Sequence, residues 1–157
     1  MLVLGWIVIF GLAYWFFSVW NSRQANPNTI KILKQQSGEL VLIRNQFGHY
    51  VAEGAINDRT VTFLVDTGAT QVALSTRLAN KFGLVLGDRV SVQTANGAVA
   101  AYQTRVDRIS IGPIEMRDVA AVVTDNMDDD TVLLGMSFLK RLEFTQRDNR
   151  LILKSTG

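Results

Sequence analysis

The charged side chains of this chain avoid its first 20 residues: Met1 to Trp20 carries none, and all 16 Lys/Arg and 14 Asp/Glu lie beyond it. Leu2 to Trp20 reads LVLGWIVIFGLAYWFFSVW, long enough as a helix to cross a hydrocarbon core of roughly 30 Å. Tyr14, Trp15 and Trp20 near one end, with Trp6 near the other, suit interfacial anchoring. A cleaved signal peptide would need a charged n-region and a small-residue cleavage site. Here only the α-amine is charged, and Ser18-Val19-Trp20-Asn21 is a poor site. A buried core helix is disfavoured because aromatic residues fall on every face. The expectation is therefore a transmembrane anchor over residues 1–20 and a juxtamembrane linker over residues 21–38. Asn21 to Asn28 (NSRQANPN) is polar and contains Pro27. One folded domain follows over residues 39–157. Arg23, Lys31 and Lys34 after the apolar run would, on the positive-inside tendency, lie in the cytoplasm.

The remaining length can bury a core without staples, and there is no cysteine to supply one. Disulfides, thiolate chemistry and Cys-based metal sites are thereby excluded. A formal charge of +2, interspersed along the chain, gives no basis for nucleic-acid binding. Thr29 to Gln36 is ambiguous between a strand and a helical turn, and from Glu39 onward the pattern is β. Leu40 to Ile43 is a short apolar run. His49 to Ile56 and Thr60 to Val65 flank the turn residues Asn57-Asp58-Arg59. Arg89 to Thr94 and Val99 to Arg105 flank Ala95-Asn96-Gly97-Ala98, where Asn-Gly supplies the positive φ angles of a tight hairpin. Val106 to Ile111, Val119 to Thr124 and Leu151 to Lys154 read as further strands. Thr76 to Phe82 and Met136 to Arg141 read as short helices. Many short strands with Gly-rich turns indicate a small all-β barrel or sandwich.

The stretch that carries chemistry is Thr62-Phe63-Leu64-Val65-Asp66-Thr67-Gly68-Ala69-Thr70. An apolar strand runs directly into an acid, a hydroxyl and a glycine. Splitting a peptide bond with water needs a base to take a proton and an acid to protonate the carbonyl oxygen. Two carboxylates sharing one proton do both, because adjacent like charges resist joint ionisation. A strand end fixes the carboxylate, Thr67 offers a brace, and Gly68 lets its N–H approach the acid. Alone, the tripeptide is also what an ordinary strand ending in an Asp-initiated turn looks like.

Its surroundings are more specific. Gly48-His49-Tyr50 precedes the hairpin into Asp66-Thr67-Gly68-Ala69-Thr70, and Val72-Ala73-Leu74-Ser75, Ala79 and Gly83-Leu84 follow. Thr94-Ala95-Asn96-Gly97, Ile109-Ser110-Ile111-Gly112 and Val119 to Val123 come next. Leu133-Leu134-Gly135-Met136-Ser137-Phe138-Leu139 completes the series. In this order, over about Gly48 to Lys154, the chain resembles the retropepsin-like aspartic peptidases, in their bacterial branch with an N-terminal membrane segment.

The resemblance implies a small closed barrel of the acid-protease type with one or two short helices, and no cofactor or metal ion. It implies that Asp66 is the catalytic aspartate, Thr67 a hydroxyl brace across a dimer, and Gly68 a contact to substrate backbone. Ala69 stands where pepsin-like enzymes often carry a hydroxyl, one hydrogen bond fewer to the ionised pair. Thr94, Ala95, Asn96 and Gly97 would form the flap over a bound peptide. Asp66-Thr67-Gly68 occurs once, and the chain is too short for a second lobe, so a carboxylate pair requires a two-fold homodimer. Relatives of this layout face the periplasm from the inner membrane, opposing the charge signal and suggesting processing of a membrane-proximal protein. A catalytically silent peptide-binding or dimerisation module of the same fold is the alternative.

Other groups carry plainer readings. His49, the single histidine, reads as a strand-start residue, since no Ser or Cys motif accompanies it. Asp125, Asp128, Asp129 and Asp130 read as a solvated loop, because their spacing does not match an EF-hand.

Overall fold

The computed structural model describes residues 2–28, 38–94, 97–125 and 127–155, without the side chains of residues 2–6, 8, 9, 22 and 23. Helix α1 (Leu2–Ala25) carries the uncharged run and continues five residues into the segment expected as linker. Nothing in Asn21 to Ala25 breaks a helix, and Pro27 is the first residue that would. From Phe10 to Trp20 every side chain is exposed except Val19, which is half-buried. At about 100° per residue those side chains point around the whole circumference, so the helix stands away from the rest of the chain. Among the described residues no helix is long and apolar enough to cross a membrane. The ambiguous segment from Thr29 to Gln36 lies outside the described residues.

Strands β2 (Val51–Ile56) and β3 (Arg59–Val65) form an antiparallel hairpin closed by Asn57 and Asp58. Both turn residues have positive φ, 46° and 66°, as the right-handed twist of a tight hairpin demands. Beyond them come β4 (Val72–Leu74), helix α2 (Thr76–Phe82), β5 (Arg89–Thr94), β6 (Gly97–Ile111) and β7 (Ile114–Val123). Next are β8 (Thr131–Leu134), helix α3 (Met136–Leu139) and β9 (Leu142–Arg147). Together β2-β3-β8-β4-β7-β6 form a sheet that closes on itself where Ala55 and Ile56 of β2 pair with Ser110 and Ile109 of β6. The result is a six-stranded barrel without exposed sheet edges of its own. Closure depends on Gly54. A Cβ there would lie 2.4 Å from the Ser110 carbonyl oxygen and 2.8 Å from the Phe63 ring.

Phe63, Leu74, Ile109, Leu134 and Phe138 are fully buried in the barrel, each side chain contributing on the order of 1.5–3 kcal/mol. The two strands expected over Val99 to Ile111 are one 15-residue strand, β6. No Gly or Pro interrupts it, and three partners share its length: β5, then β7, then β2. Strand β7 starts five residues before the expected Val119, because its polar half-turn positions Glu115 and Arg117 alternate with buried Ile114 and Met116.

A second sheet joins β1 (Glu39–Ile43), β10 (Arg150–Ser155) and β9 in the order β1-β10-β9. Leu40, Leu42, Leu151 and Leu153 on one face of it enter the barrel core. Between α1 and the barrel the chain is fastened by Asn28, whose side chain is fully buried. Its Nδ2 donates to the carbonyls of Ile43 and Val51, both at 2.8 Å, and its Oδ1 accepts from Ile43 N at 2.7 Å.

Candidate active site

Asp66 sits where β3 leaves the barrel. Strands β3 and β8 run parallel, Val65 opposite Leu134, and Asp66 N extends that ladder to Leu134 O at 3.3 Å. The chain then turns, with Ala69 N donating to Asp66 O at 3.3 Å. Gly68 N donates to Asp66 Oδ1 at 2.8 Å and so fixes the carboxylate against its own loop.

The returning limb is clamped from behind by the start of α3. Met136 N donates to Ala69 O at 2.8 Å and Ser137 N to Thr70 O at 3.0 Å. These are the N–H groups that a helix start leaves unpaired, here spent on holding a loop. Ser137 Oγ accepts from Val72 N at 2.9 Å and donates to Ala120 O at 2.7 Å, tying α3, β4 and β7 together under the loop. Contact is so close at Gly135 that a Cβ would lie 2.2 Å from Gln71 O and 2.7 Å from Ala69 O.

Asp66 is half-buried, while Thr67, Gly68 and Thr70 are exposed on the surface of the single chain. One carboxylate in this setting can act as base or as acid for an attacking water, but not as both at once. Among the remaining site residues, Thr94 and Gly97 face each other at the end of the β5–β6 ladder. Thr94 Oγ1 donates to Gly97 O at 2.8 Å. Pairing thus reaches two residues nearer the tip than the expected boundary at Val99. Ala95 and Asn96 lie outside the described residues.

His49 is exposed, and its backbone N–H donates to Asn45 Oδ1 at 2.9 Å, which closes a turn. Of the acidic loop, Asp129 and Asp130 pair with Arg77 of α2 at 3.3 and 2.9 Å. Among the described residues no group of three or more His, Asp or Glu is placed to hold a metal ion. A depression of about 660 Å³ lies under the loop after α2, lined by Gln71, Leu84, Asp88, Gln103 and Arg105 among others; none of residues 66–70 lines it. At its rim the Arg105 guanidinium donates to the Asp118 carboxylate, which holds that carboxyl below its ordinary value and raises Arg105 above its own.

Three supporting residues escape a reading by motif alone. Gly135 and Ser137 lie in the Leu133–Leu139 element, but nothing in it announces a clamp on the Asp66 loop. A small residue and a hydroxyl at the start of a short helix are the available signal. Asn28 carries no signal beyond its place after Pro27.

A closed six-stranded barrel that presents an Asp-Thr-Gly loop, held by a Gly at the head of a short helix, is an aspartic-protease arrangement. The chain belongs to the retropepsin-like aspartic proteases: residues 52–141 match the family model described as "gag-polyprotein putative aspartyl protease". It is similar to the crystal structure of a retropepsin-like aspartic protease from Rickettsia conorii, with 32% identity and a TM-score of 0.65, over 75% of this chain and 91% of that one. It is 38% identical over 125 residues to an uncharacterized protein encoded in the cobV 5′ region of a Sinorhizobium species, covering 76% of this chain and 54% of the relative. An uncharacterized protein of Rickettsia prowazekii (strain Madrid E) is 32% identical over 120 residues, 74% of this chain and 51% of that protein. The chain thus spans about half the length of the curated relatives it matches.

Proposed function

We propose that the chain is an aspartic endopeptidase that hydrolyses peptide bonds with a water activated between the Asp66 carboxylates of two copies. The observation that carries this is the Asp66 loop: a carboxylate fixed at a barrel strand end by Gly68 N–H, with its flanking residues open on a single chain. A second copy across a two-fold axis supplies the missing proton-carrying partner. In that dimer Asp66 is the catalytic residue, exposed Thr67 braces the opposite loop, and Gly68 and Ala69 line the floor beneath the peptide. The β5–β6 hairpin around Thr94 to Gly97 closes over it.

The anchor is read from the sequence of Leu2 to Trp20, several of whose side chains lie outside those described: this run holds the chain in the bacterial inner membrane, with the barrel on the periplasmic side. This reading is supported by the absence of charge from that run and by the exposure of Leu12, Tyr14, Trp15, Phe16, Phe17 and Trp20 around α1. Its natural substrate is a protein whose cleaved segment lies close to the membrane. Two anchored copies meet at a raised effective concentration.

The test is a pairwise one on the full chain. Wild type should cleave peptides from a random library, and Asp66→Asn should cleave none while unfolding at the same temperature and forming the same dimer. A wild-type dimer that cleaves nothing from mildly acidic to neutral pH would leave a peptide-binding module instead.

A further inference from the structure

We propose that the end of the barrel next to α1 is a lipid-contacting face, built from the Asn45–His49 turn and the β9–β10 turn, which rests on anionic headgroups. This rests on the reading of α1 as a membrane anchor and goes beyond it, because it fixes how the protease domain lies on the bilayer.

Asn45 is the hub of that end. Its Nδ2 donates to Ala25 O, the last residue of α1, at 2.9 Å. Its Oδ1 accepts from Phe47 N at 3.0 Å and His49 N at 2.9 Å, so the same side chain shapes the turn and grips the helix. The neighbouring Arg44 N donates to Asn149 O at 2.9 Å, bringing the β9–β10 turn alongside. Asn28, buried between Ile43 and Val51, removes slack from the three residues that follow the helix.

Height follows from the helix. Trp20 closes the uncharged run, and Asn21 to Ala25 continues as helix for five residues. At about 1.5 Å per residue, Ala25 stands roughly 7 Å above the apolar core. That is about the depth of one headgroup layer, on the order of 5–7 Å a side. The turn bonded to Ala25 therefore begins at the headgroup boundary.

Its composition suits that position. Phe47 is 66% exposed at the tip of the turn, an aromatic ring with no core to enter. Arg147 and Arg150 are exposed on the adjoining turn and flank a single acid, Asp148. Half-buried Arg44 lies over the Tyr50 ring at 5.4 Å. Two exposed arginines against one aspartate attract phosphate headgroups, and a Phe beside them can sink at the interface. Val65 N donates to Tyr50 O at 2.9 Å, so Asp66 lies one strand from this turn. The protease half-site is thereby held at the bilayer surface rather than out on a stalk.

The chain has no cysteine, so single-cysteine labelling of the full-length protein in nanodiscs tests this directly. Labels at Phe47→Cys, Val85→Cys and Leu12→Cys are compared for access to a lipid-borne quencher and to an aqueous nickel chelate. Val85 is 84% exposed and follows α2, whose end meets the far turn of the β2–β3 hairpin through Asn57. The label at position 47 should be quenched from lipid and several-fold protected from the chelate in discs containing phosphatidylglycerol. It should return toward the position 85 value in pure phosphatidylcholine discs or with Arg147→Ser/Arg150→Ser. If position 12 lies in lipid while position 47 is as water-accessible as position 85, the lipid-facing surface is wrong and the anchor stands. If position 12 is outside lipid, the anchor falls and this inference with it. A label at position 47 shielded from both quenchers would mark a protein contact and also overturn the proposal.

Discussion

Replacing Asn28 by Ala removes three side-chain hydrogen bonds from a fully buried position. Ile43 N loses its acceptor, and an unpaired buried N–H costs about 1–3 kcal/mol. The carbonyls of Ile43 and Val51 lose a donor each, at roughly 0.5–1 kcal/mol apiece, since a carbonyl retains a second lone pair. The expected loss is about 2–5 kcal/mol, a large share of the 5–15 kcal/mol typical of a domain. For a chain of this size that corresponds to a fall in Tm of roughly 4–20 °C. Trp6, Trp15 and Trp20 all lie in α1, so tryptophan fluorescence would not report on the barrel. Far-UV circular dichroism of the strand signal, on the full chain in detergent, is the measurement. Asn26→Ala, which removes only an acceptor for Asn28 N at 3.0 Å, should shift Tm far less. An Asn28→Ala protein that melts within about 1 °C of wild type would refute the reasoning and leave the segment after α1 an ordinary linker.

Other expectations follow from the loop and its supports. Gly135→Ala drives a methyl into Gln71 O and Ala69 O, so the barrel should lose well over 3 kcal/mol or fail to accumulate; urea titration or soluble yield decides. Ser137→Ala orphans Val72 N and one bond to Ala120 O, about 2–3 kcal/mol, and peptide cleavage should fall beyond what the fraction unfolded explains. For the exposed Arg105–Asp118 pair, hydrogen bonding from Arg105 lowers the Asp118 carboxyl. Its stabilisation is therefore present above the unfolded-state value and disappears as pH falls through the lower folded value. Asp118→Asn should flatten that acid limb in urea midpoints at low salt and differ little from wild type at high salt.

Much of the architecture is legible in the sequence because its signals are local. The turn at Asn57-Asp58, the paired segments around Asn96-Gly97 and the short helix over Thr76 to Phe82 each declare themselves within a few residues. Strands β4, β8 and β9 read poorly because they are three to six residues long and gain definition from partners far along the chain. The parallel β3–β8 ladder joins residues almost seventy positions apart. The Asp66 loop is legible as chemistry, whereas its clamp is not. Met136 and Ser137 grip the loop through main-chain N–H groups, which any residue but proline could supply. Asn28 illustrates the same limit from the other side: polarity beside a proline reads as solvent, and only tertiary contacts make it core.

The long strand β6 has a mechanical consequence. Gly97 to Ala101 pairs with β5 alone, and β7 joins only from Tyr102 onward. About 17 Å of two-stranded ribbon thus projects beyond the closed barrel, braced at its root where Thr124 Oγ1 donates to Ala100 O at 3.1 Å. A ribbon of that kind has little stability of its own, so it can bend like a sprung arm while the socket beneath stays rigid. Substitutions along the arm touch none of the ladders that close the barrel.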